Sequence, residues 1–307
     1  MIHLSEQETR KLISHSLAYE AIKAAFKSVN GDAQLFPVVN AEGAEEGTMF
    51  SLKSASTSDV CGWKTGSYWP GNVEQGIPCH STVIFLLDPK TGLLMATVEA
   101  SEVNAYRTAA ANAVATDVLA RSDAETLTVF GTGHQAFYEV CAINEIRNIK
   151  QVMVVGRSKE KSEALIAKLR KQGIDACHST PKAGCQSSDI VVTATTSQAP
   201  LFETDWVRAG THISAMGADK IGKQELPTEL YQDADLFCDY EKQSRVIGEF
   251  QHAPKKKDIS EIGDVLNHFK DGRKNSEQIT LFDSSGIALQ DLYIATRLLQ
   301  ASNTENK

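Results

Sequence analysis

Hydrophobic positions recur in two different rhythms along this chain. The opening stretch has helical spacing: Ser5 followed by Glu8 reads as a capping box for a first helix, and a second helix is expected at 17–29, ended by Asn30-Gly31. The pattern then turns to β-rich runs at 48–54, 60–68, 81–87 and 93–98. The last two flank Asp88-Pro89-Lys90-Thr91-Gly92, a sequence suited to a hairpin turn. Strands that arrive in succession, without helices between them, predict an α+β unit with a largely antiparallel or mixed sheet. An Ala-rich helix at 102–120 leads out of it. From Thr126 the rhythm becomes β-α-β-α, with strands expected at 126–130, 151–155, 190–194, 212–215, 236–238 and 279–282. That alternation predicts an α/β unit, a doubly wound parallel sheet with helices on both faces. An amphipathic helix at 287–299 is expected to pack back on the first unit, with 302–307 frayed. The domain reading is therefore 1–118 with 288–307, and 119–287.

The junctions of the second unit carry the most specific signal. The strand Thr126-Leu127-Thr128-Val129-Phe130 runs into Gly131-Thr132-Gly133-His134-Gln135-Ala136. Gly131 allows a tight strand-to-helix turn, Gly133 allows backbone N–H groups close to a diphosphate, and Ala136 is the small residue for helix–strand packing. A second apolar run follows at βαβ distance. This is the outline of a Rossmann dinucleotide site, with the diphosphate at the positive end of the helix. The second run ends in Gly156-Arg157-Ser158, with Lys161 close behind. An NAD site usually places Asp or Glu there. A guanidinium at this point pairs with a 2′-phosphate, so NADP(H) is expected to be preferred. If Arg157 is only a solvated residue or stacks on adenine, NAD(H) stays usable.

Composition narrows the class. Hydrophobic content of 42% is ordinary for a globular protein, and a formal net charge of −8 argues against nucleic acid or an anionic membrane as partner. No apolar run approaches the length of a membrane span, and Met1-Ile2-His3-Leu4-Ser5 does not begin a signal peptide. The cysteines Cys61, Cys79, Cys141, Cys177, Cys185 and Cys238 show no CxxC spacing, and the histidines show no HExxH, so reduced thiols, a cytoplasmic location and no structural metal are expected. The basic stretch at 253–257 reads as a solvated turn.

Loops after parallel strands line a nucleotide site. Thr193-Ala194-Thr195 follows one strand, Met216-Gly217-Ala218-Asp219 the next, and Asp283-Ser284-Ser285-Gly286 the last. From the first unit come two cations. Lys64 lies mid-strand, facing either a ligand or solvent. Arg107 lies in the Ala-rich helix and needs a partner if buried: a substrate carboxylate, or a structural acid such as Glu102 or Glu99.

At this point the chain resembles the ornithine cyclodeaminase/μ-crystallin family over nearly its whole length. The motifs are Gly62-Trp63-Lys64-Thr65; Glu99-Ala100-Ser101 leading to Tyr106-Arg107-Thr108-Ala109-Ala110; the glycine turn; Ala215-Met216-Gly217-Ala218-Asp219 with Lys223-Gln224-Glu225-Leu226; Glu261-Ile262-Gly263-Asp264; and Phe282-Asp283-Ser284-Ser285-Gly286-Ile287-Ala288. The resemblance implies a two-domain homodimer, with a first domain that binds substrate and dimerises and a second that is a Rossmann domain. It implies Lys64 and Arg107 as substrate-carboxylate residues, Asp219 as the catalytic acid, and Gly131, Gly133, Gln135 and Ala136 as the phosphate turn. The chain departs from many members at Leu35-Phe36-Pro37-Val38-Val39, where an arginine that also grips the carboxylate is missing.

Members of this family include ornithine cyclodeaminases, alanine and opine-type dehydrogenases and cyclic ketimine reductases. Gly156-Arg157-Ser158 favours net reduction with NADPH over ornithine cyclisation. The leading expectation is a reductase of a cyclic imino acid, Δ1-pyrroline-2-carboxylate or Δ1-piperideine-2-carboxylate, yielding L-proline or L-pipecolate. Lys64 and Arg107 would hold the carboxylate, Asp219 would donate the proton or stabilise the iminium, with Lys64 also a candidate for acid–base chemistry, and Trp63, Tyr68 or Trp69 could wall off water, although each taken singly reads better as a core residue. The alternatives are an alanine-type dehydrogenase, an ornithine cyclodeaminase, or a non-catalytic NADPH-dependent ligand binder. The joint presence of Lys64, Arg107 and Asp219 favours catalysis.

Overall fold

The computed structural model describes residues 1–305. The chain divides into two compact units, Met1–Arg107 together with the chain from Ile287 on, and Thr108–Gly286. The first division falls inside a continuous helix, eleven residues before the position 118 read from the sequence. Composition marks where an Ala-rich helix ends, and cannot mark where its packing partners change.

The first unit runs β1 (Ile2–Leu4), α1 (Glu6–Leu12), α2 (His15–Ser28), β2 (Gln34–Leu35), β3 (Val39–Glu42), β4 (Met49–Ser56), β5 (Cys61–Tyr68), β6 (His80–Leu87), β7 (Leu94–Glu99) and the start of α3 (Ser101–Leu119). The expected capping box is present: Glu8 N–H donates to the Ser5 hydroxyl and Ser5 N–H to the Glu8 carboxylate. Strand order is β1-β7-β6-β5-β4-β2, with β3 also on β4. All neighbours are antiparallel except β1, which joins β7 in parallel, so the sheet is mixed as expected. β1 and β3 were not legible in the sequence: at three and four residues each is too short for its alternation to stand out. The Asp88 carboxylate builds the β6–β7 turn by accepting from Lys90 and Thr91 N–H groups.

The second unit continues with β8 (Thr126–Phe130), α4 (His134–Ile146), β9 (Gln151–Val155), α5 (Lys159–Arg170), β10 (Ala176–His178), α6 (Pro181–Ser187), β11 (Ile190–Thr193), β12 (His212–Ala215), α7 (Leu230–Asp233), β13 (Asp235–Cys238), α8 (Glu241–Ile247), β14 (Ile259–Glu261), α9 (Ile262–Leu266) and β15 (Thr280–Asp283). Its strands lie in the order β10-β9-β8-β11-β12-β15-β13-β14, and every pair is parallel. From β8 the chain winds outward through β9 to β10, then returns to lay β11 on the other flank of β8. The winding reverses between β8 and β11, which makes that point the switch crevice of a doubly wound sheet.

The chain ends in α10 (Ala288–Glu305), which returns to the first unit and packs on α2 and on β4, β5 and β6. The helix carries on through Glu305 where fraying from 302 was expected; positions 306 and 307 of that expectation lie outside the described residues. Among the described residues no helix is long and apolar enough to cross a membrane.

Candidate functional site

Two groups of residues carry the chemistry, one in each unit. In the first, strand alternation decides which way Lys64 points. It shares a face of the sheet with Lys53, Ile84 and Val98, its register neighbours, and Ile84 and Val98 are fully buried. This face is the one covered by α10. Lys64 is therefore inside, with 5% exposure, rather than turned to solvent. Its Nζ donates to Asp291 Oδ1 of α10 at 3.0 Å and to Asn104 Oδ1 of α3 at 2.9 Å. The same Asn104 oxygen accepts from Arg107 Nε (3.1 Å) and Nη2 (2.9 Å), and Arg107 Nη1 donates to Gln290 Oε1 at 3.3 Å. Arg107 Nε lies 3.5 Å from Asp291 Oδ1.

The acid beside Arg107 is thus Asp291. Glu102 lies 3.5 Å from Arg10 instead, and the Glu99 carboxylate accepts from Glu6 N–H. Asn104, Gln290 and Asp291 escaped the sequence reading. The signal for Asp291 was there: a lone acid between Leu289 and Leu292, both fully buried, on the apolar side of the last helix. Burial pushes the Lys64 ammonium down to about 7, Arg107 adds to this, and Asp291 opposes it. A lysine so placed can both attract a carboxylate and exchange a proton near neutral pH.

Of the aromatic candidates, Trp63 does not join the Lys64 face. Trp63 alternates with Lys64 and points to the opposite face, where it stacks on Phe85 at 4.9 Å. Tyr68 shares Lys64's side of β5 by alternation and packs on His80.

In the second unit the glycine turn has the geometry that a dinucleotide requires. Gly131 has φ +119°, and a Cβ there would lie 2.5 Å from Ala194 O, so only glycine fits. A Cβ at Gly133 would meet open space, leaving the approach to α4 clear. Gly133 is the N-cap of α4 and brings no side-chain cap to it, and the start of a helix is a favourable place for an anion. His134 is exposed in the first turn, and Gln135 is tied by its Nε2 to Glu139 at 2.7 Å. At the end of β9, Ser158 caps α5 by accepting from Lys161 N–H. Arg157 and Lys161 are exposed there, and the Arg157 guanidinium has no hydrogen bond or ion pair among the described residues. The donor set and open backbone fit a dinucleotide phosphate.

The loops after β11, β12 and β15 are braced by buried acids. Glu225 accepts from Thr193 Oγ1 (2.7 Å), Thr195 N (2.7 Å), Thr195 Oγ1 (2.6 Å) and Gly217 N (2.9 Å). Glu249 accepts from the Glu225 (3.0 Å) and Leu226 (2.8 Å) N–H groups and from Tyr231 OH (2.9 Å). Asp283 accepts from Glu249 N at 3.0 Å and from the Ser244 hydroxyl. Asp239 holds the last loop through Gly286 N (2.7 Å) and the Ser284 hydroxyl (3.1 Å), while Gln243 Nε2 reaches Ser285 Oγ and Gly286 O. Burial pushes the Glu225 carboxyl up and Glu249 up to about 7, and burial together with the nearby Asp239 charge pushes Asp283 well up. Ala194 and Met216 lie within these same loops, and Met216 N donates to Thr193 O at 2.8 Å. Asp219, in the loop after β12, is exposed and accepts from Lys223 Nζ at 2.6 Å; that ammonium also donates to Gly217 O at 3.0 Å. Asp219 stands in the second unit, Lys64 and Arg107 in the first.

Comparison with known proteins agrees with this geometry. The iminosuccinate reductase of Paracoccus denitrificans is 33% identical over 309 residues, covering 98% of this chain and 96% of that protein. Its structure with NAD+ superposes with a TM-score of 0.95 at 32% identity, covering 100% of this chain and 97% of that one. An archaeal alanine dehydrogenase dimer with bound NAD gives a TM-score of 0.93 at 30% identity, covering 100% and 97%. The Δ1-pyrroline-2-carboxylate reductase of Thermococcus litoralis, with NADH and L-proline, gives 0.91 at 28% identity, covering 100% and 98%. The family model described as ornithine cyclodeaminase/mu-crystallin family matches residues 1–305, and the chain belongs to that family.

Proposed function

We propose that this protein is an NAD(P)H-dependent reductase of a cyclic 2-imino carboxylate, Δ1-pyrroline-2-carboxylate or its six-membered homologue Δ1-piperideine-2-carboxylate, producing L-proline or L-pipecolate. The observation that carries the reading is the buried Lys64–Asn104–Arg107–Asp291 cluster, in which two cations face a single carboxylate and share one amide oxygen. A substrate carboxylate supplies the second anion. The bound dinucleotide supplies a hydride to C2 of the imine. Lys64 and Arg107 fix the carboxylate and so orient C2. The nitrogen must gain a proton as C2 is reduced. Lys64, pushed down to about 7, is the donor, and the Asp219 carboxylate stabilises the iminium. Gly131, Thr132, Gly133, His134, Gln135 and Ala136 take the diphosphate, and Arg157, Ser158 and Lys161 take the 2′-phosphate of NADPH, the preferred cofactor. Thr193, Ala194, Thr195, Met216, Gly217, Ser285 and Gly286 border the nicotinamide.

A homodimer accompanies this reading, and we place its interface on the face of the first sheet opposite α10. Trp63, Val83 and Phe85 point there, and so do Val39 (58% exposed), Phe50 (44%) and Met95 (37%). An apolar sheet face of this kind is normally covered. The archaeal alanine dehydrogenase of like fold is itself a dimer.

Purified protein should oxidise NADPH faster with Δ1-pyrroline-2-carboxylate than with pyruvate plus ammonia. The reverse order overturns the cyclic-imine assignment. Oxaloacetate plus ammonia belongs in the same panel: similarity to the iminosuccinate reductase favours a second reading, an acyclic 2-imino acid, and faster turnover there would select it. Ammonia release from ornithine would select the cyclodeaminase.

A further inference from the structure

Glu225 lies six residues beyond Asp219 and is fully buried. Its four donors come from two separate places, Thr193 and Thr195 at the end of β11 and just beyond it, and Gly217 in the loop after β12. We propose that Glu225 is the positioning residue for the nicotinamide half of the dinucleotide site, clamping these two loops into one rigid wall. The inference rests on the dinucleotide reading above and is independent of which substrate is reduced.

Topology supplies the first support. The winding reverses between β8 and β11, so a dinucleotide laid across that crevice puts its adenosine on the β9 flank and its nicotinamide on the β11–β12 flank. The Glu225 clamp joins loops of the second flank alone. Chemistry supplies the second. Two oxygens divide the donors evenly: Oε1 takes Thr195 N and Oγ1, Oε2 takes Thr193 Oγ1 and Gly217 N. A glutamine in either orientation would aim its NH2 at a backbone N–H. Aspartate would stop a methylene short. The third support is steric. A Cβ on Gly217 would lie 2.4 Å from Thr195 O and 2.6 Å from Glu225 Oε1, so glycine is required where the two loops and the carboxylate meet. Behind it, Glu249 fixes the Glu225 and Leu226 backbone, and Tyr231 and Asp283 in turn fix Glu249.

The test compares two ligands on the full-length protein by calorimetric titration. NADH spans both flanks; ADP-ribose carries the diphosphate and adenosine without nicotinamide. Glu225→Gln should raise the Kd of NADH about tenfold, in line with lost hydrogen bonds to a charged group, and leave ADP-ribose within about twofold. Equal weakening of both ligands, which general loosening of the unit would cause, overturns the proposal; so does unchanged NADH binding. Thr195→Val removes one hydroxyl donor and keeps the N–H. It should show the same asymmetry at smaller size, and it carries the test if Glu225→Gln lacks a native circular-dichroism spectrum. Failure of the wild type to bind either ligand would remove the dinucleotide reading itself.

Discussion

Both units bury carboxylates, and they treat them in opposite ways. In the first, Asp291 sits between Lys64 and Arg107, so its partners are cations. In the second, Glu225, Glu249, Asp283 and Asp239 are bonded to backbone N–H groups and to hydroxyls. The difference separates recognition from rigidity. Cations around a single acid keep a positive field available for an anionic ligand and hold a lysine where it can titrate. Neutral donors around an acid fix loops in place and bring no positive charge to offer an anion. Burial pushes Glu249 and Asp283 up, joined at Asp283 by the nearby Asp239 charge, and the hydrogen bonds from neutral donors offset only part of this.

The comparison is broken most severely by removing the buried acid that faces Lys64 and Arg107. Asp291→Asn leaves Lys64 and Arg107 buried beside each other with no counter-charge. Unfolding in urea should show a loss of about 3–5 kcal/mol, the usual cost of breaking a buried ion pair from one side. In steady-state assays kcat/KM should fall by at least about a hundredfold as both carboxylate ligands lose their geometry. The pH profile adds a direction. Asp291 raises the Lys64 value, so its loss should move the limb near pH 7 downward. A limb that stays in place would show that Lys64 is not the titrating group.

Much of this was legible in the sequence because periodicity reports burial. The strand ending at Ala215, the glycine turn and the β6–β7 hairpin follow directly from apolar runs and turn residues. So does the choice of Lys64 and Arg107. Their partners were hidden for a physical reason. Asn104 stands three residues from Arg107 on its own helix, but Asp291 and Gln290 lie far along the chain, and only the return of α10 brings them in. The acids of the second unit were hidden differently. Glu225 and Asp283 were noticed as parts of motifs, yet their role depends on which backbone N–H groups converge on them, and no side-chain pattern encodes that. The face that Trp63 takes follows only from the register, because one step along a strand reverses the face.

The acids bonded to neutral donors should make stability fall with rising pH. Glu249 titrates at about 7 when folded, above its ordinary value of 4.5. The folded state therefore keeps a proton that the unfolded chain releases. Its contribution is complete below about 4.5 and is lost as pH rises through 7, on the order of 3 kcal/mol in all. His212 works against this at lower pH: buried and pushed down to about 3, it adds stability as pH rises from 3 to 6.5. A difference measurement separates them. Glu249→Gln keeps an oxygen for Oε1's three donors and mimics the protonated acid. The unfolding free energy of wild type minus variant should decline between pH 5 and 8, by chemical denaturation at each pH. A flat difference would mean that Glu249 is ionised throughout.

The smallest expected effect lies at a position outside both kinds of acid. Arg157 is exposed, and no acid or hydroxyl among the described residues engages its guanidinium. Its removal should therefore leave stability unchanged and act on the ligand alone. Arg157→Ala should weaken NADPH by about 1–3 kcal/mol and NADH by much less, because only NADPH carries the 2′-phosphate that a guanidinium forks. The two dissociation constants, read by nucleotide fluorescence at fixed ionic strength, decide it. Equal losses would make Arg157 an adenine-stacking residue and turn the cofactor preference towards NADH, which occupies the similar pyrroline-2-carboxylate reductase. Such a result would leave the proposed carboxylate site around Asp291 untouched, since hydride delivery in the proposed reaction needs either dinucleotide and not the phosphate.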